Sequence, residues 1–375
     1  MEIAVTGDGV LCSLGLDTAA VMNALEKNAT GVKKQSPDRF GGHEVTAALF
    51  SDDDRAKIQV EDFSFFESLL IRAMEQATQQ SDTDLRSPRT LIVLASTKGN
   101  IGRLESSSAT QHPEQISLGA SANRIAKYFG AVTQPQVVSN ACISGISALI
   151  QATRMIRAGH YDQVVVAGAD EVSPFIQSGF QSFMALSDEV CKPYDAQRKG
   201  INLGEAAAAI VLKKTDHPAA GTLLVKGGAS ANDANHLSGP SRTGEELAMA
   251  VTNAMKKSGL TPEQIDFISA HGTATSYNDE MESKAFERAG LSKVPLHSLK
   301  SRFGHTLGAA GVLESVVLLQ SMRRNLIFPT FGFETMGVSG KITVCDRLMS
   351  ATLNHTLKTG SGFGGCNAAI VFSKA

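Results

Sequence analysis

The apolar positions of this chain fall into two periods that alternate along its length. Near-continuous apolar runs at Leu91–Ala95, Val164–Ala167 and Ala206–Leu212 predict strands buried on both faces. Between them apolar residues recur at helical spacing, as in Phe63, Phe66, Leu69, Leu70, Ala73 and Met74 over residues 63–80. The same reading puts a strand at Ile3–Thr6, followed by Gly7 and Gly9, and a helix capped by Asp17 that reaches about Asn28. A helix over about 120–129 leads to a short strand, Gln136–Val138, and Ile146, Leu149, Ile150, Met155 and Ile156 then predict a helix to about Ala158. Further strands are expected at Leu223–Gly227, Ile265–Ser269, Leu296–Ser298, 351–357 and 368–373, and helices at 243–258, 278–289 and 308–324. Residues 33–62 read as irregular, 100–117 as a polar surface excursion, and 171–205 as a long loop-rich segment over a site.

Strand–helix alternation with buried strands argues for α/β layers. Each half contains a strand that runs into a turn and then a long helix of small and apolar residues: Val137–Ala158 in the first and Leu296–Met322 in the second. A duplicated α/β unit, residues 1–215 and 216–375, with helices sandwiched between two sheets, accommodates that many apolar helices.

The 375 residues suffice for a sizeable core, and 42% apolar with 19% charged residues is an ordinary globular balance. The net charge of −2 offers no global attraction for nucleic acid or an anionic membrane. Five scattered cysteines, Cys12, Cys142, Cys191, Cys345 and Cys366, show neither metal-ligand spacing nor a disulfide framework. There is no apolar run of membrane-spanning length and no signal-peptide pattern, so the expected compartment is a reducing cytoplasm.

Candidate chemistry gathers at four turns. Cys142 sits between the Gln136–Val138 strand and a helix, where unpaired N–H groups and the helix dipole favour a thiolate; a small cysteine that merely packs is the other reading. His271-Gly272-Thr273-Ala274-Thr275 follows a strand, and at its C-terminal end open α/β sheets place ligands. Lys300 and His305 precede the 308–324 helix, which carries Glu314, and Thr359–Asn367 is glycine-rich enough to turn N–H groups toward a ligand or to form a tight hairpin. A loop histidine, a solvated lysine and a capping histidine are the bland alternatives for His271, Lys300 and His305. One Cys, two His, a Lys and a glycine-rich loop suit nucleophilic acyl chemistry. A cysteine protease needs one His and an orienting Asn or Asp, and has no use for this set.

Asn140-Ala141-Cys142, His271–Thr275, Lys300 with Gly304-His305 and Gly308–Gly311, Gly362–Asn367, and Arg198-x-Gly200 with Gly204-Glu205 stand in an order and spacing that covers nearly the whole chain. In this the chain resembles the elongating β-ketoacyl-ACP synthases of the thiolase-like superfamily. The resemblance implies a five-layered αβαβα thiolase-like fold from two duplicated α/β halves, the second carrying both His and the Lys. It implies an acyltransferase, a 3-oxoacyl-[acyl-carrier-protein] synthase, which condenses an acyl thioester held on Cys142 with malonyl-ACP, losing CO2, in fatty acid or polyketide/polyene biosynthesis. Cys142 resembles the nucleophile, and the N–H groups of Cys142 and Phe363 the oxyanion hole. His271 and His305 resemble the pair promoting decarboxylation, and Lys300 the charge organising His305, with Glu314 as its partner. Phe363 resembles the acyl-pocket gate, with Thr273 and Asn367 in support. No metal or redox cofactor is implied. Substrates ride on the phosphopantetheine of an acyl carrier protein, and the protein is expected as a homodimer or a heterodimer with a related synthase-like subunit, the 100–117 segment being a candidate to cross the dimer. The alternative is a non-catalytic, chain-length-factor-like partner of another ketosynthase, although such subunits usually lack the nucleophile.

Several positions depart from the family pattern. Ile143 follows Cys142, Arg302-Phe303 precedes Gly304-His305, and Met184 and Glu114 stand where relatives are often basic. For docking an acidic carrier, Arg55, Lys57, Arg124 and Lys127 are the nearest basic candidates.

Overall fold

The apolar runs pair into one ladder of strands in the computed structural model, which describes residues 1–40, 42, 44–105, 113–234 and 239–375. The strand order is Thr343–Val344, Pro295–His297, Phe267–Ser269, His355–Gly362, Cys366–Lys374, Leu223–Asn232, Glu2–Cys12, Ala206–Thr215, Gln163–Asp170, Thr90–Ala95 and Gln136–Val138. Leu223–Asn232 and Glu2–Cys12 meet at the single pair Ala4–Leu224, so the ladder is two sheets joined at one point. Each sheet has a parallel centre. Thr90–Ala95 runs parallel to both of its neighbours, and so does Phe267–Ser269.

Alternation along the strands separates three cores. Leu91, Val93 and Ala95 face a central core, whereas Ile92 and Leu94 face Phe66, Leu69 and Leu70 of the Phe65–Gln79 helix. In the second sheet Ile370 and Phe372 join the same central core, and Ala369 and Val371 face the Glu245–Ser258 and Ser276–Arg288 helices. The helices Ser144–Arg157 and Ala310–Arg324 fill the middle and touch strands of both sheets. The layering is therefore αβαβα, the thiolase-like architecture. The central helix Ala310–Arg324 is not amphipathic in the usual way, because both its faces meet a sheet, whereas Ser144–Arg157 keeps a polar stripe of Ser147, Gln151 and Arg154. Residues 310–319 are buried at every position. Truncating one of these side chains, such as Leu313→Ala, would cost roughly 2–5 kcal/mol.

The sequence reading needs correction in four places. The first strand does not stop at Thr6 but runs to Cys12 through Gly7 and Gly9, which lie against the Phe65–Gln79 helix. A Cβ at Gly7 would stand 2.0 Å from the Ala77 carbonyl oxygen, so close approach and not a turn explains the glycine. Residues 33–62 are not irregular throughout. Lys33–Gln35 and Val45–Ala48 form a small sheet with Leu203–Gly204, and Asp52–Ile58 is a helix. Ser51 caps that helix and Asp52, Asp53 and Asp54 occupy its first turn, where the dipole favours acids. The 171–205 segment contains the helix Pro174–Ser182, started by a Ser173 cap with Pro174 in its first turn. The last two strands lie at His355–Gly362 and Cys366–Lys374, not at 351–357 and 368–373, and the three residues between them form the tight hairpin that was one reading of the glycine-rich stretch. Of the 100–117 excursion, residues 106–112 lie outside the described residues, so its expected crossing of a dimer does too. No helix among the described residues is long and apolar enough to cross a membrane.

Candidate active site

Cys142 projects from the turn between Gln136–Val138 and Ser144–Arg157. The Ser144 hydroxyl holds the turn, donating to the Ala141 carbonyl at 2.6 Å and accepting from the Asn140 N–H at 2.8 Å. Ala141 adopts φ 44°, a left-handed conformation costly for a residue with a Cβ. That conformation sets Cys142, half-buried, on the floor of a cavity of about 400 Å3.

The two histidines arrive from the second half of the chain. His271 follows the strand Phe267–Ser269. Its N–H and that of Gly272 donate to the Glu282 carboxylate at 2.7 and 2.8 Å, and the Thr273 N–H donates to Asp279 at 2.8 Å. His305 is held by main chain: its N–H donates to the Asn202 carbonyl at 2.7 Å, and its own carbonyl accepts from Gly204 at 3.0 Å. Gly304 before it has φ 66°, and a Cβ there would stand 2.2 Å from the Leu203 carbonyl oxygen. The Cys142 sulfur and one nitrogen of each imidazole lie within 4.8 Å of one another. The imidazoles stand edge to face, ring centroids 5.3 Å apart. Among the described residues this is the cluster whose donor atoms are close enough to hold a metal ion, and they are the same three groups that acyl chemistry would use.

Beneath the histidines lies a buried charge cluster. Lys300 pairs with one oxygen of Glu314, and Lys358 with the other at 2.6 Å. Burial would raise the Glu314 carboxyl, but the two ammonium groups outweigh it and hold the carboxyl below its usual range. Burial, then Lys300, the other imidazole and Lys358, hold His271 well below the ordinary histidine range. Burial and then Lys300 carry His305 down to about 3, with Glu314 opposing and Lys358 adding. Both rings are therefore neutral near pH 7, each with one N–H to donate.

The thiol behaves differently from the sequence expectation of a favoured thiolate. Burial, with Cys366 adding, pushes Cys142 up to about 12, against the pull of Lys300 and of the Phe363 N–H, which donates to the sulfur. The resting group is a thiol, which would need a neighbouring base to act as a nucleophile. The Phe363 ring lies 5.8 Å from Phe180 and 5.1 Å from Phe183, and is partly exposed at the cavity mouth. Thr273 and Asn367 also line the cavity. Asn367 accepts from the Ser361 hydroxyl at 2.7 Å and donates to the Gly365 carbonyl at 3.1 Å, which pins the hairpin that presents Phe363.

Every residue assigned to the site from sequence thus lies in or directly under one cavity, and the reading missed three more. Asp279 and Glu282 sit three apart on a helix just beyond the His271 turn, a spacing that puts two carboxylates on one face. Lys358 carried no signal of its own, since its strand reads as a run of small and polar residues with Leu357 as the one large apolar side chain. Two of the docking candidates are not free. Arg55 pairs with Glu171 at 3.1 Å and Glu205 at 3.2 Å, and Arg124 with Glu67 at 3.3 Å. Lys57 and Lys127 are exposed. Met184, at the cavity mouth, is 90% exposed.

A site of this kind, in a thiolase-like sandwich, defines a class of condensing-enzyme folds, and comparison with known proteins narrows it. The model described as "Beta-ketoacyl synthase, N-terminal domain" matches residues 1–217, and "Beta-ketoacyl synthase, C-terminal domain" matches residues 223–334. The chain belongs to the beta-ketoacyl synthase family. The 3-oxoacyl-[acyl-carrier-protein] synthase 2 of Vibrio cholerae is 34% identical over 256 residues, 63% of this chain and 61% of that protein. The enzyme of the same name from Coxiella burnetii is 27% identical over 409 aligned positions, 100% of this chain and 98% of that one. In the Vibrio comparison the chain thus spans less than two thirds of the relative's length. The ishigamide ketosynthase/chain length factor structure superposes with a TM-score of 0.88 at 25% identity, covering 100% of this chain and 99% of that one.

Proposed function

We propose that the protein is a 3-oxoacyl-[acyl-carrier-protein] synthase, a condensing acyltransferase of fatty acid or polyketide/polyene biosynthesis. The observation that carries the reading is the approach of the Cys142 sulfur to both imidazole nitrogens, all within 4.8 Å. In the first half-reaction a neutral imidazole takes the Cys142 proton as sulfur attacks an acyl thioester. The tetrahedral oxygen is met by the Phe363 and Cys142 N–H groups. Collapse forms acyl-Cys142 and releases the carrier thiolate, which regains the proton.

In the second half-reaction a malonyl thioester enters. Its bond to the carboxylate breaks, CO2 leaves, and the electron pair moves into the thioester as an enolate. Two neutral imidazoles donate N–H to that oxygen, while Lys300 orders His305. The enolate carbon attacks acyl-Cys142, a carbon–carbon bond forms, and the expelled Cys142 sulfur takes up a proton. The products are a β-ketoacyl carrier protein and CO2. No step calls for a metal or redox cofactor; the substrates arrive on carrier phosphopantetheine.

The partners in this reading are an acyl carrier protein and a second subunit, either another copy or a related synthase-like chain. A ketosynthase/chain length factor pair among the structural neighbours supports the latter. The compartment proposed is the cytoplasm. Mass spectrometry of Cys142 after incubation with acyl carrier proteins tests the reading: acyl-Cys142 is expected, with condensation abolished in Cys142→Ala. A Cys142→Ala protein that condenses at the parent rate overturns it.

A further inference from the structure

Lys358 is a buried cation that the mechanism above does not use. It lies on the strand His355–Gly362, and its side chain is 1% exposed. Its ammonium reaches Glu314 at 2.6 Å, the Ser269 and Ala270 carbonyls at 3.2 Å each, and the Thr359 carbonyl at 2.7 Å. These contacts join the three parts of the site. Ala270 directly precedes His271, Thr359 lies on the strand that ends at Gly362 before Phe363, and Glu314 holds Lys300. Burying an ammonium is costly, and two of its three carbonyl hydrogen bonds could be made by the two donors of a neutral amide at lower cost.

The charge count gives the cation a purpose. With Lys300 alone, Glu314 would cancel the charge behind the imidazoles. With Lys358 on its second oxygen, the cluster carries one positive charge in excess. The nearby Glu282 carboxylate accepts from the His271 and Gly272 N–H groups and from the Tyr194 and Thr359 hydroxyls, all neutral donors, so it keeps its own negative charge and offsets part of this excess. Asp279 is occupied by the Tyr194 and Thr273 N–H groups. Both stand behind the His271 turn. In a buried setting an unbalanced charge acts over longer range than in water.

We infer that Lys358 is a positioning residue for the malonyl half-reaction, supplying the excess positive charge that holds a carboxylate-bearing extender and its enolate over His271 and His305. The acyl thioester that loads Cys142 brings no carboxylate, and its tetrahedral oxygen is met by main-chain N–H groups, so it gains less from this charge. The inference rests on the condensing reading and divides its two half-reactions.

The test follows acylation of Cys142 and release of CO2 from malonyl thioester as separate rates. Lys358→Gln keeps amide donors for the carbonyls and removes the charge. Its CO2 release is expected to fall by about tenfold or more, the effect of one lost charge interaction of ~1.4 kcal/mol, with Cys142 acylation falling clearly less. Lys358→Arg keeps the charge and is expected to retain CO2 release, which supplies the result should the glutamine variant not fold. Parent-level CO2 release in Lys358→Gln, equal loss of both half-reactions, or loss of CO2 release alone in Lys358→Arg overturns the role. A parent protein that performs neither half-reaction overturns the condensing reading instead.

Discussion

Gly145 and Gly311 bring the two central helices into backbone contact. A Cβ built on Gly145 would stand 2.6 Å from the Val312 nitrogen and 2.9 Å from the Gly311 Cα, and one on Gly311 would stand 2.4 Å from the Ile146 nitrogen. Cys142 lies just before one helix and His305 just before the other, so this contact sets their separation. Gly145→Ala is expected to lower stability by roughly 1–3 kcal/mol, as overpacking does, read from the urea midpoint. Cys142 acylation should fall further than stability alone explains. An alanine variant with parent stability and parent acylation would show that the helices part freely.

Cys142 should alkylate as an ordinary buried thiol and not as an activated thiolate. Its ionisation is displaced to about 12 by burial and the neighbouring Cys366. The rate with iodoacetamide, followed by mass spectrometry, should keep rising up to about pH 10, because only the thiolate reacts. A plateau near neutral pH would mean that helix and imidazole activate the resting sulfur after all.

His297 should make stability depend on pH. Burial holds it down to about 4, with the Phe328 carbonyl opposing and Lys358 adding. The unfolded chain, with an ordinary histidine, takes up the proton first. The contribution of neutral His297 is therefore fully present above about pH 6.5 and is lost as the pH falls toward 4. Relative to His297→Asn, the parent should lose on the order of 2–3 kcal/mol between about pH 7.5 and 4.5 in urea titrations. Taking the difference removes the opposite trend of Asp279, which burial raises to about 6. A difference that is flat with pH would place a charged or solvated imidazole at this position.

The strand Gln136–Val138 ends the first sheet, with Thr90–Ala95 as its one neighbour among the described residues. An open edge of this kind is a template for a second chain. If a dimer forms there, Val137→Pro, which removes a backbone donor, should give a monomer at micromolar concentration by light scattering. A dimer that survives this substitution forms elsewhere.

Much of the site was legible because its chemistry sits in local signals. Cys142, His271, His305 and the Gly362–Asn367 stretch each lie at a strand end or a glycine-spaced turn, where a short run of sequence specifies the backbone. The buried strands were equally plain, since Leu91–Ala95 and Val164–Ala167 are apolar on both faces. The helix Pro174–Ser182 was written in its Ser173 cap and Pro174, though no clear apolar period flagged it.

Sequence by itself thus determined the α/β class, the family pattern and the residues that gather at the cavity, because periodicity and turn chemistry act over a few residues. Only the tertiary structure decided what lies between distant segments. Gly7 is set by Ala77, 70 positions away in the chain, Arg55 by Glu205, and the strand residue Lys358 by Glu314 on a central helix. It also decided the state of the Cys142 sulfur. A helix start favours a thiolate, but burial among other side chains outweighs it, and burial is a property of the assembled fold.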